Sequence, residues 1–300
     1  MNTTPPSASH RPFSLGLYLL IVFGISWPFL IAGAIWATGL TSAFLFNGTA
    51  MVMVTVGTWI CGRFIFRDGF AGAGWRWGKP VHYLAVLGLI VLLWGVPTLI
   101  RLIQGSIDPG SVDQSKIIWL FLLPLITLIP GFGEEFGWRG YMLPRMAQGM
   151  SARKAVIIHS IIWWAWHLPV LVGAAVQSGI AAAGEAGIPV GLSVAVNVLV
   201  IVIVSAVPTI LHGVVFAYIW TRSQSLAVAT VYHAAYDGVR DSLGMLIGSP
   251  AMVGLWANLV LSVLGIAFLW KGDWKNLAVP LAARQSEGSL PDPIIPTAAQ

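Results

Sequence analysis

The sequence predicts an all-α, polytopic integral membrane protein of about eight transmembrane helices enclosing a polar intramembrane cavity, and three observations predict it. Of the 300 residues 57% are apolar and 9% charged, with a mean hydropathy of +0.82, whereas soluble domains carry roughly 25% charged residues. The apolar residues fall into runs of the length, about 20 residues, that a helix needs to cross the hydrocarbon core. The ionisable residues inside those runs concentrate on three of them, where charge is most costly.

The runs cover approximately 14–38, 42–66, 81–101, 117–137, 155–173, 191–220, 224–243 and 251–270. None alternates in polarity as a barrel strand does. The sixth is long for one span, and Pro208 within it predicts a kink. The first is too long for the apolar core of a signal peptide, which disfavours cleavage after its small residues. With the N-terminus inside, loops facing the cytoplasm hold 13 basic residues (Arg11, Arg63, Arg67, Arg76, Lys79, Arg139, Arg145, Arg153, Lys154, Arg222, Lys271, Lys275 and Arg284) against three outside (Arg101, Lys116 and Arg240). This bias predicts cytoplasmic termini and explains the net charge of +5 by topology. Nucleic acid is therefore not an expected partner, whereas membrane lipid is.

Residues 1–12 and 276–300 are rich in Pro, Ser and small polar residues and read as disordered tails around a helical domain at 13–275. Trp75 and Trp77, alternating with Arg76 and Lys79 in "GWRWGKP", read as an interfacial anchor. Cys61 is the single cysteine, which rules out an intrachain disulfide and a cysteine metal cluster. No internal repeat is visible, against a transporter built from inverted halves.

Three groups carry the candidate chemistry. In "PGFGEEFGWRG" (130–140) Glu135 and Arg139 are four residues apart and share a helix face, while Glu134 points about 100° away. One carboxylate is then neutralised locally and its neighbour stays free. The preceding Pro and Gly predict a loosened backbone beside a cavity. The plainer reading is a helix end with a basic residue at the cytoplasmic boundary. In "WWAWHLP" (163–169) His167 falls one turn after Trp163, packing an indole against the imidazole; a helix-to-helix hydrogen bond is the structural alternative. In "HAAYD" (233–237) His233 and Asp237 share a face, with small residues permitting a close neighbour, and Arg240 offers Asp237 an ion pair instead. Of the remaining histidines, His159 reads as an interfacial contact, and His212, one turn past Pro208, as an interhelix hydrogen bond that also has the register to face the cavity.

Taken together, Glu-Glu-x-x-x-Arg on one span, aromatic-x-x-x-His on the next and His-x-x-x-Asp on a later one resemble the CPBP family, the CAAX prenyl proteases and bacteriocin-processing (Abi) membrane proteins, over about residues 117–243. The match sets Glu134, Glu135 and Arg139 on the first motif, His167 on the second, and His233 with Asp237 on the third. Trp163 stands where the family usually has Phe, and Asp237 where the best-understood prenyl proteases have Asn. The resemblance implies an endopeptidase acting on a membrane-bound or lipidated peptide or protein. Glu134, assisted by His167, would polarise a water, His233 and residue 237 would support the oxyanion, and Glu135 and Arg139 would hold the motif in shape. An ionised Asp237 accepts hydrogen bonds only, so orientation of His233 is its favoured role. No cofactor is required in this reading. Zinc held by Glu134, His167 and His233 is the competing one, without the His-Glu-x-x-His arrangement of common zinc proteases. Rhomboid-type Gly-x-Ser-Gly and aspartyl-type Gly-x-Gly-Asp motifs are absent. A cytoplasmic opening of the site is expected. A non-catalytic immunity or binding protein and a proton-coupled transporter remain the alternatives.

Overall fold

The computed structural model describes residues 11–248 and 251–277. Among these every regular element is helical. The expected disordered tails fall almost wholly on residues 1–10 and 278–300, outside the described residues.

Helix α1 (Leu15–Trp36) starts at Ser14, whose hydroxyl accepts from the Leu17 amide and so satisfies one of the free N–H groups of the first turn. Helix α2 (Leu40–Ile60) widens into a π-helical turn at Cys61–Ile65. Helix α3 (Pro80–Ile90) opens on proline, whose missing N–H costs nothing at a first position. It passes through a π-helical turn (Val91–Gly95) into α4 (Val96–Ile103). Helix α5 (Trp119–Glu135) continues through a seven-residue π-helical stretch, Phe136–Met142, into α6 (Leu143–Gly149). Then come α7 (Ala152–Trp166), α8 (Leu168–Ala186), α9 (Val190–Ser223), α10 (Leu226–Ile247) and α11 (Ala251–Lys271).

Seven helical stretches among the described residues are long and apolar enough to cross a membrane. The spans expected at 14–38, 42–66, 81–101, 117–137, 191–220 and 251–270 correspond to six of them. The span expected at 155–173 is corrected: the helix breaks at His167, and α8, which runs on past residue 173 to Ala186, is the one apolar and long enough to span. Helix α7 has 15 residues, and α10 carries Asp237, Arg240 and Asp241, so neither has the length and polarity of a lone spanning helix. Both are sheltered by protein instead.

Helices α7 and α8 together run antiparallel to α9. Gly213 lies on Ser160, the Trp164 indole donates to Ser205 Oγ at 3.2 Å, and Gly179 lies on the backbone of Val194. At 1.5 Å per residue the 34 residues of α9 extend about 51 Å, well beyond a hydrocarbon core of about 30 Å. The helix is unbroken through Pro208.

Contacts between loops define two ends of the bundle. Arg11 bonds Phe66, Leu226 bonds Gly74, and Arg153 bonds Trp270, gathering one end rich in Arg and Lys. Asp113 bonds Leu246, joining the opposite end. Helix α5 runs between α2 and α10, and glycine sets both distances. A Cβ on Gly133 would lie 2.5 Å from the carbonyl oxygen of Met51, and one on Gly238 would strike the backbone of Pro124. The Pro-Gly-Phe-Gly segment expected to break the helix is therefore ordinary helix whose glycines permit close approach, and the loosening comes one turn later, in the π-helical Phe136–Met142.

Candidate active site

Glu134 and Glu135 close α5, in the middle of the bundle, with 1% and 0% of their surface exposed. Ionised groups that deep persist only with partners, and each carboxylate has a different set. Glu135 Oε1 accepts from Arg139 Nη1 at 2.8 Å and faces His233 Nδ1 at 2.8 Å. Glu134 Oε2 accepts from the Trp163 indole at 2.7 Å. The divergence of the two side chains follows from the helix, as read from the sequence. The plainer reading of a helix end at the boundary is corrected, because Arg139 is fully buried. Its guanidinium carbon sits 4.3 Å from the centre of the Phe216 ring and 4.7 Å from that of Trp163, close enough for the rings to offset part of its lost hydration. Arg139 therefore does not belong in the count of cytoplasmic loop charges. Arg145, bonded to Asp68 and to the Tyr141 and Gly69 carbonyls, is also buried, though not completely.

The break after α7 places the second motif. His167 caps α7 and precedes α8, whose Pro169 is tolerated in the first turn. Its Nδ1 lies 2.7 Å from the Trp163 carbonyl, a contact that requires Nδ1–H and leaves a lone pair on Nε2 of the neutral ring. The imidazole stands edge-on to Trp163 and Trp166, at 4.7 and 4.9 Å between ring centres. Trp163 thus touches Glu134, Arg139 and His167 at once.

On α10, His233 Nε2 lies 3.3 Å from Asp237 Oδ2, while Asp237 Oδ1 accepts from Arg240 Nη1 at 2.8 Å. The two readings of this motif, orientation of the histidine and an ion pair with Arg240, are both present in the one carboxylate. His233 has a carboxylate at each ring nitrogen, Glu135 on one side and Asp237 on the other. Both contacts are favourable together when both nitrogens carry hydrogen.

A cavity of ≈ 260 Å³ is lined by Glu134, His167, His233 and Asp237, together with Trp163, His212, Tyr236 and others. All three motifs converge on it. Glu135 and Arg139 stand behind its wall, bracing His233. His212 performs both roles its register allowed, facing Tyr232 Oη at 2.9 Å and lining the cavity. His159 is corrected: it is fully buried in the bundle, not interfacial, on the side of α7 that faces Trp138 and Arg139 of the π-helical stretch. The reading of the motifs missed Asn47 of α2 and Asn258 of α11, which also line the cavity. The available signal was the one Asn in each of two predominantly apolar runs.

The cavity's direction departs from expectation. Leu30, Asn47, Arg240 and Asn258, which line it, belong to the halves of their helices remote from the basic end, so the cavity extends away from the end where residues 11 and 271–277 lie. Termini and opening were expected on one side. Basic residues report which end of a helix is which, and carry no information on where along it the inward-facing polar groups lead.

Residues 116–239 match the family model of the Rce1-like type II CAAX prenyl endopeptidases. This stretch, under half of the chain, is similar to that family. A CAAX prenyl protease 2 of Methanococcus maripaludis is 33% identical over 95 residues, which are 31% of this chain and 34% of that relative. The chain therefore matches about a third of the length of the curated relative. The family match contains Glu134, Glu135, Arg139, His167, His233 and Asp237, and stops short of α11, which adds Asn258 to the cavity.

Proposed function

We propose that the protein is an intramembrane endopeptidase that hydrolyses a peptide bond in a membrane-associated or lipidated, CAAX-like protein or peptide. The observation that carries the reading is that Glu134 and His167 line one small cavity, while the companion carboxylate, Glu135, is neutralised behind its wall by Arg139 and His233. Glu134 takes a proton from a water as the water oxygen attacks the scissile carbonyl carbon. The tetrahedral intermediate expels the amine, which leaves with that proton. His167, with Nδ1–H committed to the Trp163 carbonyl, presents Nε2 as the acceptor that holds the water's second hydrogen. General base catalysis of this kind contributes roughly 10²- to 10⁴-fold.

Zinc would require ligands from Glu134, His167 and His233, but both nitrogens of His233 already face carboxylates, and no group of three potential ligands among the described residues is arranged to hold a metal. We therefore favour a reaction run by the side chains, with activity that survives exhaustive chelation.

The test is Glu134→Gln in proteoliposomes, assayed with a panel of prenylated and unmodified peptides. Cleavage should fall by at least 100-fold without loss of folding. A variant that cleaves as fast as the unmodified protein defeats the proposal. A protein that cleaves nothing, yet binds a membrane partner irrespective of Glu134, is the non-catalytic binding or immunity alternative. Glu134-dependent proton flux without cleavage is the transporter alternative.

A further inference from the structure

The three motifs leave a gap on the side of the oxyanion. An oxygen that becomes negative needs preorganised donors, and Asp237 is an acceptor held by Arg240 at 2.8 Å and adjacent to His233 Nε2 at 3.3 Å. An oxyanion drawn to His233 Nε2 would therefore sit beside a carboxylate. Of the other polar groups around the cavity, the Trp163 indole is committed to Glu134 and the Trp166 indole to Ser26.

Resting on the endopeptidase reading, the geometry points to His212 as a further catalytic residue that donates a hydrogen bond from Nδ1 to the oxyanion. Its ring is held by Tyr236 at 4.4 Å, Phe216 at 4.7 Å and Trp163 at 5.7 Å between centres, with Nε2 against Tyr232 Oη at 2.9 Å. The last contact settles which nitrogen carries the proton. Tyr232 is fully buried, and among the described residues His212 is the only hydrogen-bond partner of its hydroxyl. A buried hydroxyl hydrogen without an acceptor is expensive, so Tyr232 donates to Nε2 and the hydrogen of the neutral ring resides on Nδ1. That nitrogen has no partner among the described residues and is not among the polar atoms sealed from contact. It opens on the cavity that Glu134 and His167 also line. His212 thus meets the requirement that Asp237 fails: a donor, fixed in orientation by Tyr232, carried on α9 and not on the helix that bears the Asp237 carboxylate.

The experiment measures cleavage of the peptide panel in proteoliposomes by the unmodified protein, Glu134→Gln, His212→Phe, Tyr236→Phe and Asp237→Asn, and by His212→Phe combined with Asp237→Asn. Loss of one oxyanion donor should lower kcat for His212→Phe by about 10²- to 10³-fold with KM nearly unchanged. In the Asp237→Asn background, where an amide can donate, the penalty should shrink to less than 10-fold, a rescue that a merely structural histidine would not give. Unaltered kcat in His212→Phe, or an equal penalty in both backgrounds, overturns the assignment while leaving Glu134-dependent hydrolysis intact. So does a kcat loss confined to Tyr236→Phe, which would move the donor to that hydroxyl. Absence of any cleavage by the unmodified protein overturns the endopeptidase reading, and the role of His212 with it. Tyr232→Phe, which retains the ring and frees the tautomer, is the second variant if His212→Phe does not fold; it should lower kcat in the same direction by at least 5-fold, and unchanged kcat counts against the proposal.

Discussion

Replacing Arg139 by Met probes the electrostatic frame behind the cavity. The guanidinium and the Glu135 carboxylate are both fully buried and meet at 2.8 Å, four residues apart on one helix. Unit charges about 4 Å apart attract by about 4 kcal/mol at an effective dielectric of 20. Removing one partner of such a pair leaves the other charge uncompensated and typically costs about 3–5 kcal/mol. His233 remains beside Glu135 and retains part of the compensation, which sets the expectation for Arg139→Met near the lower value, about 3 kcal/mol. Glu135→Gln with Arg139→Met removes both charges and should recover at least about 1 kcal/mol of that loss, since replacing a whole buried pair is often neutral. Reversible unfolding in mixed micelles, followed by tryptophan fluorescence, gives the three free energies. A loss below about 1 kcal/mol for Arg139→Met, or a double variant no more stable than the single, would refute the view that Arg139 is there to neutralise Glu135.

Two further outcomes follow from the packing and from the cavity. Gly133→Ala places a Cβ 2.5 Å from the Met51 carbonyl, with backbone rather than a yielding side chain in the way, so separating α5 from α2 should cost about 1–3 kcal/mol; unchanged stability in the same unfolding assay would contradict the close approach. Cysteine placed singly at Asn258 or at Lys275, in a chain whose only native cysteine is replaced by Cys61→Ser, should label with a membrane-impermeant maleimide from opposite faces of sealed vesicles. Labelling of both from one face would place the cavity's opening and the basic end together, against the path described by its lining.

The fold class was legible because lipid admits few solutions: a chain this apolar satisfies its backbone internally, and helices of spanning length leave their mark in composition alone. The motifs were legible for a related reason. Glu135 and Arg139 meet because they are four residues apart, and the divergence of Glu134 from them is helix geometry. The span drawn through residues 155–173 failed because apolarity continues across His167, while the helix does not. A break that lies among apolar residues and is sheltered by α9 leaves no change in hydropathy to read.

His212, Asn47 and Asn258 illustrate the remaining limit. Register alone permitted His212 to face a neighbour or a cavity, and the arrival of Tyr232 from α10 both occupied one nitrogen and fixed the other. Glu134, His167 and His233 come from three separate helices, yet the three line one cavity. Residue spacing, by itself, determined that this chain is a helical membrane protein and which carboxylates, imidazoles and guanidinium groups share a turn, because those follow from solvent and from the pitch of one helix. Tertiary structure alone decided that Trp163 holds Glu134, that His233 stands between two carboxylates and that the cavity leads away from the basic end, because each depends on how separate helices approach and cross, and no periodicity within a single helix encodes that.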